Sequence, residues 1–275
     1  VGDRTGRRKL LEGAIFEVIP MKNTAEKARD LPPGATVSVT ASPDKGMIAT
    51  VELCESLAAN GFRVVPHISA RLTESFDELR RIVERVGAVG STRAFVVGGD
   101  NEGGTEFPDA MAVLRALERL DHPFREIGVA AYPEGHPSIP EHALRSSLLE
   151  KQAMADYMAT QMCFDAERIA SWVRGERTAG VNLPLVIGIP GVTDPARLLT
   201  IGARIGVGRS IRYLRKNRRA MFKLLRPRPY DPTKLVDKLS SLATDPAANA
   251  VGLHIFTFNQ IGPTTEWYEK ALGAV

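Results

Sequence analysis

The stretch EIGVAAYPEGHP, residues 126–137, is a short apolar run that stops abruptly at a group of polar residues. Glu126–Ala131 is apolar on both faces, as a parallel strand buried on both sides must be. Tyr132, Glu134 and His136 follow at what becomes the C-terminal end of that strand. Seven more segments have the same character: Ala14–Ile19, Thr36–Thr40, Arg63–Ile68, Arg93–Val97, Tyr157–Cys163, Leu185–Ile189 and Val251–Phe256. Amphipathic helical patterns lie between them, among them Met47–Asn60, Ser75–Val86, Asp109–Leu120 and Ala166–Glu176. Asn60-Gly61 supplies a stop signal for the first, and Asp165 is placed to cap the last.

Eight strands alternating with helices predict an α/β fold, a single (βα)8 barrel of the TIM type over residues 1–275. A doubly wound open sheet uses the same alternation. The chain has no GxGxxG after its first strand, which disfavours a dinucleotide-binding sheet of that kind. The interval between strands seven and eight is long enough for an extra helical segment, ahead of another helix near Thr233–Ala243. No internal repeat or linker interrupts the pattern.

Hydrophobic residues make up 44% and charged residues 25%, ordinary values that place the chain among globular proteins. No apolar run approaches about 18 residues, which argues against a membrane span. Val1–Glu12 is polar and basic without an apolar core, so a secretory signal is not expected. Cys54 and Cys163 sit inside apolar stretches and read as reduced, buried thiols of a cytoplasmic protein. The net charge of +4 is concentrated in RIGVGRSIRYLRKNRRAMFKLLRPR, residues 204–228. That block is either a solvated helix face or a site for an anionic partner. It has few aromatics and no nucleic-acid motif, so nucleic acid is not the expected partner.

Polar residues recur where each strand stops: Glu17 within strand one, then Thr40, His67, Asp100, Tyr132, Gln161 and Asn259. In a (βα)8 barrel those positions converge on one mouth, where such enzymes place their chemistry. Packing alone does not account for them, because each polar group must be desolvated and satisfied. The five histidines show no HExxH or compact ligand spacing, so no metal site is expected.

Taken together, FEVIP (16–20), VSVT (37–40), PHIS (66–69), GGD (98–100), AAYPEGHP (130–137), TQMCFD (160–165), IPG (189–191) and HIFTFN (254–259) resemble the methylenetetrahydrofolate reductase family. They occur in family order along nearly the whole chain. The resemblance implies reduction of 5,10-methylenetetrahydrofolate to 5-methyltetrahydrofolate. It maps the catalytic acid onto Glu17. Protonating N10 opens the methylene bridge to an electrophilic 5-iminium carbon, and a carboxyl raised in pKa by an apolar strand end suits that task.

By the same resemblance, Asp100 is a catalytic and pterin-binding residue and Gln161 a substrate contact, while Asn259 either contacts substrate or braces its loop. Gln161 carries both a donor and an acceptor, as a pterin amide edge requires. Thr40, His67, Tyr132 and His136 map to cofactor-contacting positions. The basic block, with Arg209, Arg212 and Arg215, suits the glutamate tail of a folate, polyglutamylated or not.

The chain also departs from the family pattern. Gly98 stands where an arginine is usual, Ala41-Ser42-Pro43-Asp44 replaces an aromatic–glycine turn, and Asn101–Glu106 is short and acidic. Lys151 is the remaining candidate for a phosphate contact. The departures lead to an expectation of direct hydride transfer from NADH or NADPH without tightly bound FAD. The FAD-mediated reaction and a folate-binding barrel without activity stand as alternatives.

Overall fold

The computed structural model describes residues 3–99, 106–194 and 229–275. Eight strands close into a barrel in chain order: β1 (Ile15–Val18), β2 (Thr36–Val39), β3 (Arg63–Ser69), β4 (Arg93–Val97), β5 (Glu126–Ala131), β6 (Tyr157–Thr160), β7 (Leu185–Pro190) and β8 (Ala250–Phe256). Every neighbouring pair is parallel. β8 closes onto β1 with Ile15 opposite His254 and Glu17 opposite Phe256. The described helices are α1 (Arg4–Glu12), α2 (Thr24–Lys27), α3 (Gly46–Ala59), α4 (Phe76–Ala88), α5 (Ala110–Leu117), α6 (Glu141–Lys151), α7 (Ala166–Thr178), α8 (Thr233–Thr244) and α9 (Ile261–Gly273).

The (βα)8 expectation is therefore met. Three strands are shorter than their sequence implies: β1 spans Ile15–Val18 rather than Ala14–Ile19, β2 ends at Val39 rather than Thr40, and β6 ends at Thr160 rather than Cys163. Gln161 folds its side-chain oxygen back onto the Met162 N–H at 2.8 Å, which takes that donor away from a ladder. The expected helix signals operate. Ser75 accepts from Glu78 N, Asp109 from Ala112 N, and Asp165 from Glu167 N and Arg168 N. Each such cap is worth about 1 kcal/mol. Gly61, at φ 86°, ends α3 in a backbone region where a Cβ is unfavourable.

The polar N-terminus holds a helix that the apolar pattern did not announce. Asp3 caps α1 through Thr5 N and Gly6 N, and also accepts from Thr244 Oγ1 at 2.6 Å. Arg7 pairs with Asp237 at 3.0 Å, while Leu10 and Leu11 are fully buried. α1 is thus fixed to α8 by partners more than two hundred residues away, beyond the reach of local periodicity. The extra helical segment expected between β7 and β8 lies outside the described residues. The helix expected near Thr233–Ala243 is α8.

Two apolar layers hold the barrel. Inside it, Ile15, Val65, Phe95, Tyr157, Ala159 and Val186 form one packed cluster. Outside it, alternate strand residues such as Phe16, Val18, Val37 and Val39 pack under the helices. Cys54 and Cys163 are buried and form no disulfide, in keeping with the expected reduced thiols. No described helix is long and apolar enough to cross a membrane.

β6 and β7 approach so closely at Gly188 that an added Cβ would lie 2.1 Å from the Thr160 carbonyl oxygen. Because that neighbour is backbone, Gly188→Ala is expected to destabilise the fold by about 1–3 kcal/mol. The measurement is the shift in urea midpoint; an unshifted midpoint would refute the close-approach argument.

Candidate active site

Period-two alternation on β1 sends Phe16 and Val18 into the outer layer, so Ile15 and Glu17 face the barrel interior. Glu17 meets two imidazoles there. His254 of β8 places Nε2 2.8 Å from Glu17 Oε2. His67 of β3 places Nε2 3.9 Å from the same oxygen and 2.7 Å from Ser38 Oγ of β2. The side chains of Glu17, His67 and His254 are 13%, 9% and 3% exposed, so the group is largely withdrawn from water. Phe95 lies against His67 with ring centres 4.8 Å apart, and Phe256 against His254 at 5.0 Å.

Burial, reinforced by neighbouring His254, pushes the His67 imidazole down to a pKa of about 3. His67 is therefore neutral at ordinary pH and meets Glu17 as a polar group, not as a cation.

His254 was missed by the sequence reading, although its signal resembles that of Glu17: a lone polar side chain inside an apolar strand. Linear spacing shows no compact cluster of metal-binding types. The fold nevertheless brings one carboxylate and two imidazoles within 4.8 Å of one another. They come from β1, β3 and β8, which only barrel closure places together.

A cavity of about 440 Å³ opens beyond the ends of β4 and β5, against α5, α6 and α7. Tyr132 and His136 line it, with ring centres 5.2 Å apart and edge to face. Thr40, His67 and Glu17 are not part of its lining. The four expected cofactor positions are thus divided: two at the cavity, His67 inside the barrel and Thr40 beyond β2. Gly98 and Gly99 contribute bare backbone, and among the described residues no atom lies within 4 Å of where a Gly98 side chain would begin.

The cations around the cavity are largely committed. Arg145 is bound to Glu176 at 3.0 Å, and Arg168 donates to the Pro133 carbonyl at 2.6 Å. Arg71 donates to the carbonyls of Pro108 and Gly99. Lys151 lines the cavity without a hydrogen bond to any described residue. Burial lowers its pKa, opposed by Asp109 and Glu150.

Gln161 stands at the end of β6, its backbone N–H bonded to Ala131 O at 2.7 Å. Its amide Nε2 is uncommitted among the described residues. Met162 and Phe164, which follow Gln161 in the chain, form an apolar cluster with Tyr230, Phe256 and Phe258. Phe258 and Asn259 both hold positive φ, 50° and 58°, at the end of β8. Asn259 braces that turn: Oδ1 accepts from Ile19 N at 2.9 Å, and Nδ2 donates to Ile19 O and Thr24 Oγ1 at 3.0 Å each. Its amide is therefore engaged by the β1–α2 connection, the bracing role that the sequence left open beside substrate contact. Asp100 and the basic block, including Arg209, Arg212 and Arg215, lie outside the described residues.

Known proteins similar to this chain agree with the geometry. The profile of the family described as "Methylenetetrahydrofolate reductase" matches residues 21–205. A Caenorhabditis elegans protein named "Probable methylenetetrahydrofolate reductase (NADPH)" is 27% identical over 183 residues, covering 61% of this chain and 28% of that protein. "Methylenetetrahydrofolate reductase 2" of Saccharomyces cerevisiae is 36% identical over 102 residues, covering 36% of this chain and 17% of that protein. The matched segments thus span less than a third of these relatives. Among solved structures, an oxaloacetate acetylhydrolase superposes with a TM-score of 0.55 at 13% identity, covering 96% of this chain and 80% of the other, a likeness of fold alone.

The buried His67 generates a pH dependence of stability. Unfolded, the imidazole takes up a proton below about pH 6.5; folded, it resists until about pH 3. Its contribution is complete above pH 6.5 and is lost as pH falls, at about 1.4 kcal/mol per unit. Moving from pH 7.5 to pH 5 should cost the wild type about 2 kcal/mol more than His67→Gln, read from urea unfolding. Equal losses in both proteins would show that His67 is not held neutral.

Proposed function

This chain belongs to the methylenetetrahydrofolate reductase family, and we propose that it reduces 5,10-methylenetetrahydrofolate to 5-methyltetrahydrofolate by direct hydride transfer from NADH or NADPH. The observation that carries this reading is Glu17, a carboxyl inside the barrel with one oxygen tied to His254 and the other unpartnered among the described residues. A reaction that begins by protonating N10 needs such an acid, shielded from water and fixed in direction. Donation from Glu17 breaks the C–N10 bond and leaves an iminium carbon at N5. The reduced nicotinamide supplies the hydride that makes this carbon a methyl group.

The remaining residues bind and orient. The uncommitted amide donors of Gln161 face the task of reading the pterin, and Asp100 is assigned to the same edge by the family pattern. The apolar cluster of Phe164, Tyr230 and Phe256 offers a surface for the substrate's aromatic parts. Tyr132 and His136 are the ring pair on which a nicotinamide would settle, and Lys151 is the cation for its diphosphate. The name of the worm relative, which specifies NADPH, supports a nicotinamide donor.

A tightly held FAD fits the described lining poorly. Its diphosphate would compete with Glu176 for Arg145 and with backbone carbonyls for Arg71 and Arg168, and Gly98 adds no charge. A donor that arrives and leaves needs less hold than a resident group. The absorbance spectrum of the purified protein, with an assay of methylenetetrahydrofolate-dependent NADPH and NADH oxidation without added flavin, tests this. Turnover without flavin bands is expected, whereas stoichiometric FAD would replace direct transfer with the flavin route.

Glu17→Gln is expected to lower kcat by about 100-fold or more with little change in folate affinity. A kcat within a few-fold of wild type would remove Glu17 as the acid. Gln161→Ala should instead raise KM for the folate by about 10-fold as well as slow turnover. An unchanged KM would return Gln161 to a purely structural place at the end of β6.

A further inference from the structure

We propose that His254 is a positioning residue for the acid: its Nε2–H holds Glu17 Oε2, which leaves Oε1 as the oxygen that carries the transferable proton. This inference rests on Glu17 being the acid. Three observations lead to it. His254 Nε2 lies 2.8 Å from Oε2, within hydrogen-bond reach. His67 Nε2, at 3.9 Å, is beyond reach of that oxygen and is engaged by Ser38 Oγ at 2.7 Å. Oε1 has no hydrogen-bond partner among the described residues.

A glutamate side chain has three torsions to fix, and barrel closure fixes them through this one bond between adjacent strands. The bond also strengthens as the reaction proceeds. The proton leaves Oε1 for N10, the C–N10 bonding pair goes to N10, and the N5 lone pair forms the iminium. The full negative charge left on Glu17 then faces a preorganised N–H donor in a site withdrawn from water. Of the titratable groups packed against the pair, His67 of β3 is neutral. Ser38 of β2, Phe95 of β4 and Phe256 of β8 add no charge.

Asparagine at 254 is too short to reach Oε2, whereas the glutamine amide spans the distance to the imidazole Nε2. With the full chain, kcat and KM for methylenetetrahydrofolate with NADPH or NADH would be measured from pH 6 to 9.5. His254→Asn should lower kcat by about 30-fold with KM within about 3-fold, because the donor acts on charge that develops in the transition state. His254→Gln should recover most of the loss, because its amide restores the donor at the same place.

Equal impairment of both variants would overturn the proposal, as would wild-type kcat in His254→Asn. Glu17→Gln measured alongside separates the two ideas, because its retained turnover refutes the acid itself. NMR of the wild type provides a check independent of any variant's folding. A proton on His254 Nε2 at pH 7.5 is expected, and a proton on Nδ1 alone overturns the assignment.

Discussion

The hydrogen bond between Glu17 and His254 joins the first strand of the barrel to the last. It places a carboxyl group, which water would otherwise solvate, in an interior where it must have a partner. Burying a polar group without a hydrogen bond costs about 1–3 kcal/mol, so the pair is satisfied only if β8 returns in register beside β1. Closure of the fold and formation of this pair are thus one requirement. Ser38 and His67 extend it to β2 and β3, and burial keeps His67 neutral, so the group does not accumulate positive charge.

Around this core, the barrel separates two tasks. Its β1, β2, β3 and β8 side holds the largely buried group of Glu17, His67 and His254, where the proposed proton donor lies. Its β4, β5 and α6 side opens the cavity, where bare glycine backbone, Tyr132, His136 and Lys151 leave room for a larger guest. Gln161 lies between the two, bonded through its backbone to the end of β5. A hydride donor in the cavity and an acid on the opposite side would meet a folate from different directions. This arrangement is consistent with a chemical step that needs both a proton and a hydride without letting them meet. The bracing of β1 by Asn259 serves the same end, since it fixes the loop that follows Glu17.

Much of this was legible without coordinates. All eight strands, the cap at Asp165 and the presence of a carboxyl at position 17 inside an apolar strand follow from local rules of burial, alternation and capping. Three features were not. α1 is polar in sequence and becomes a buried element only because Asp3 and Arg7 meet Thr244 and Asp237. β6 loses its last residues to a side-chain bond from Gln161, a competition that apolarity does not register. Asn259 had the same local signature as a substrate contact, and its partners Ile19 and Thr24 are distant in the chain.

By itself, the sequence determined the class of fold, the strand ends that carry polar residues and the family to which they point, because period, capping and motif order are properties of neighbouring residues. Only the tertiary structure decided what those polar residues touch. It paired Glu17 with His254, left His67 beside them as a neutral neighbour, sent Tyr132 and His136 to a separate cavity and committed Asn259 to bracing. Hydrogen bonds act over about 3 Å, and the groups that make them here are up to 240 residues apart. Their chemistry is written in the chain, but their partners are chosen by the closing of the barrel.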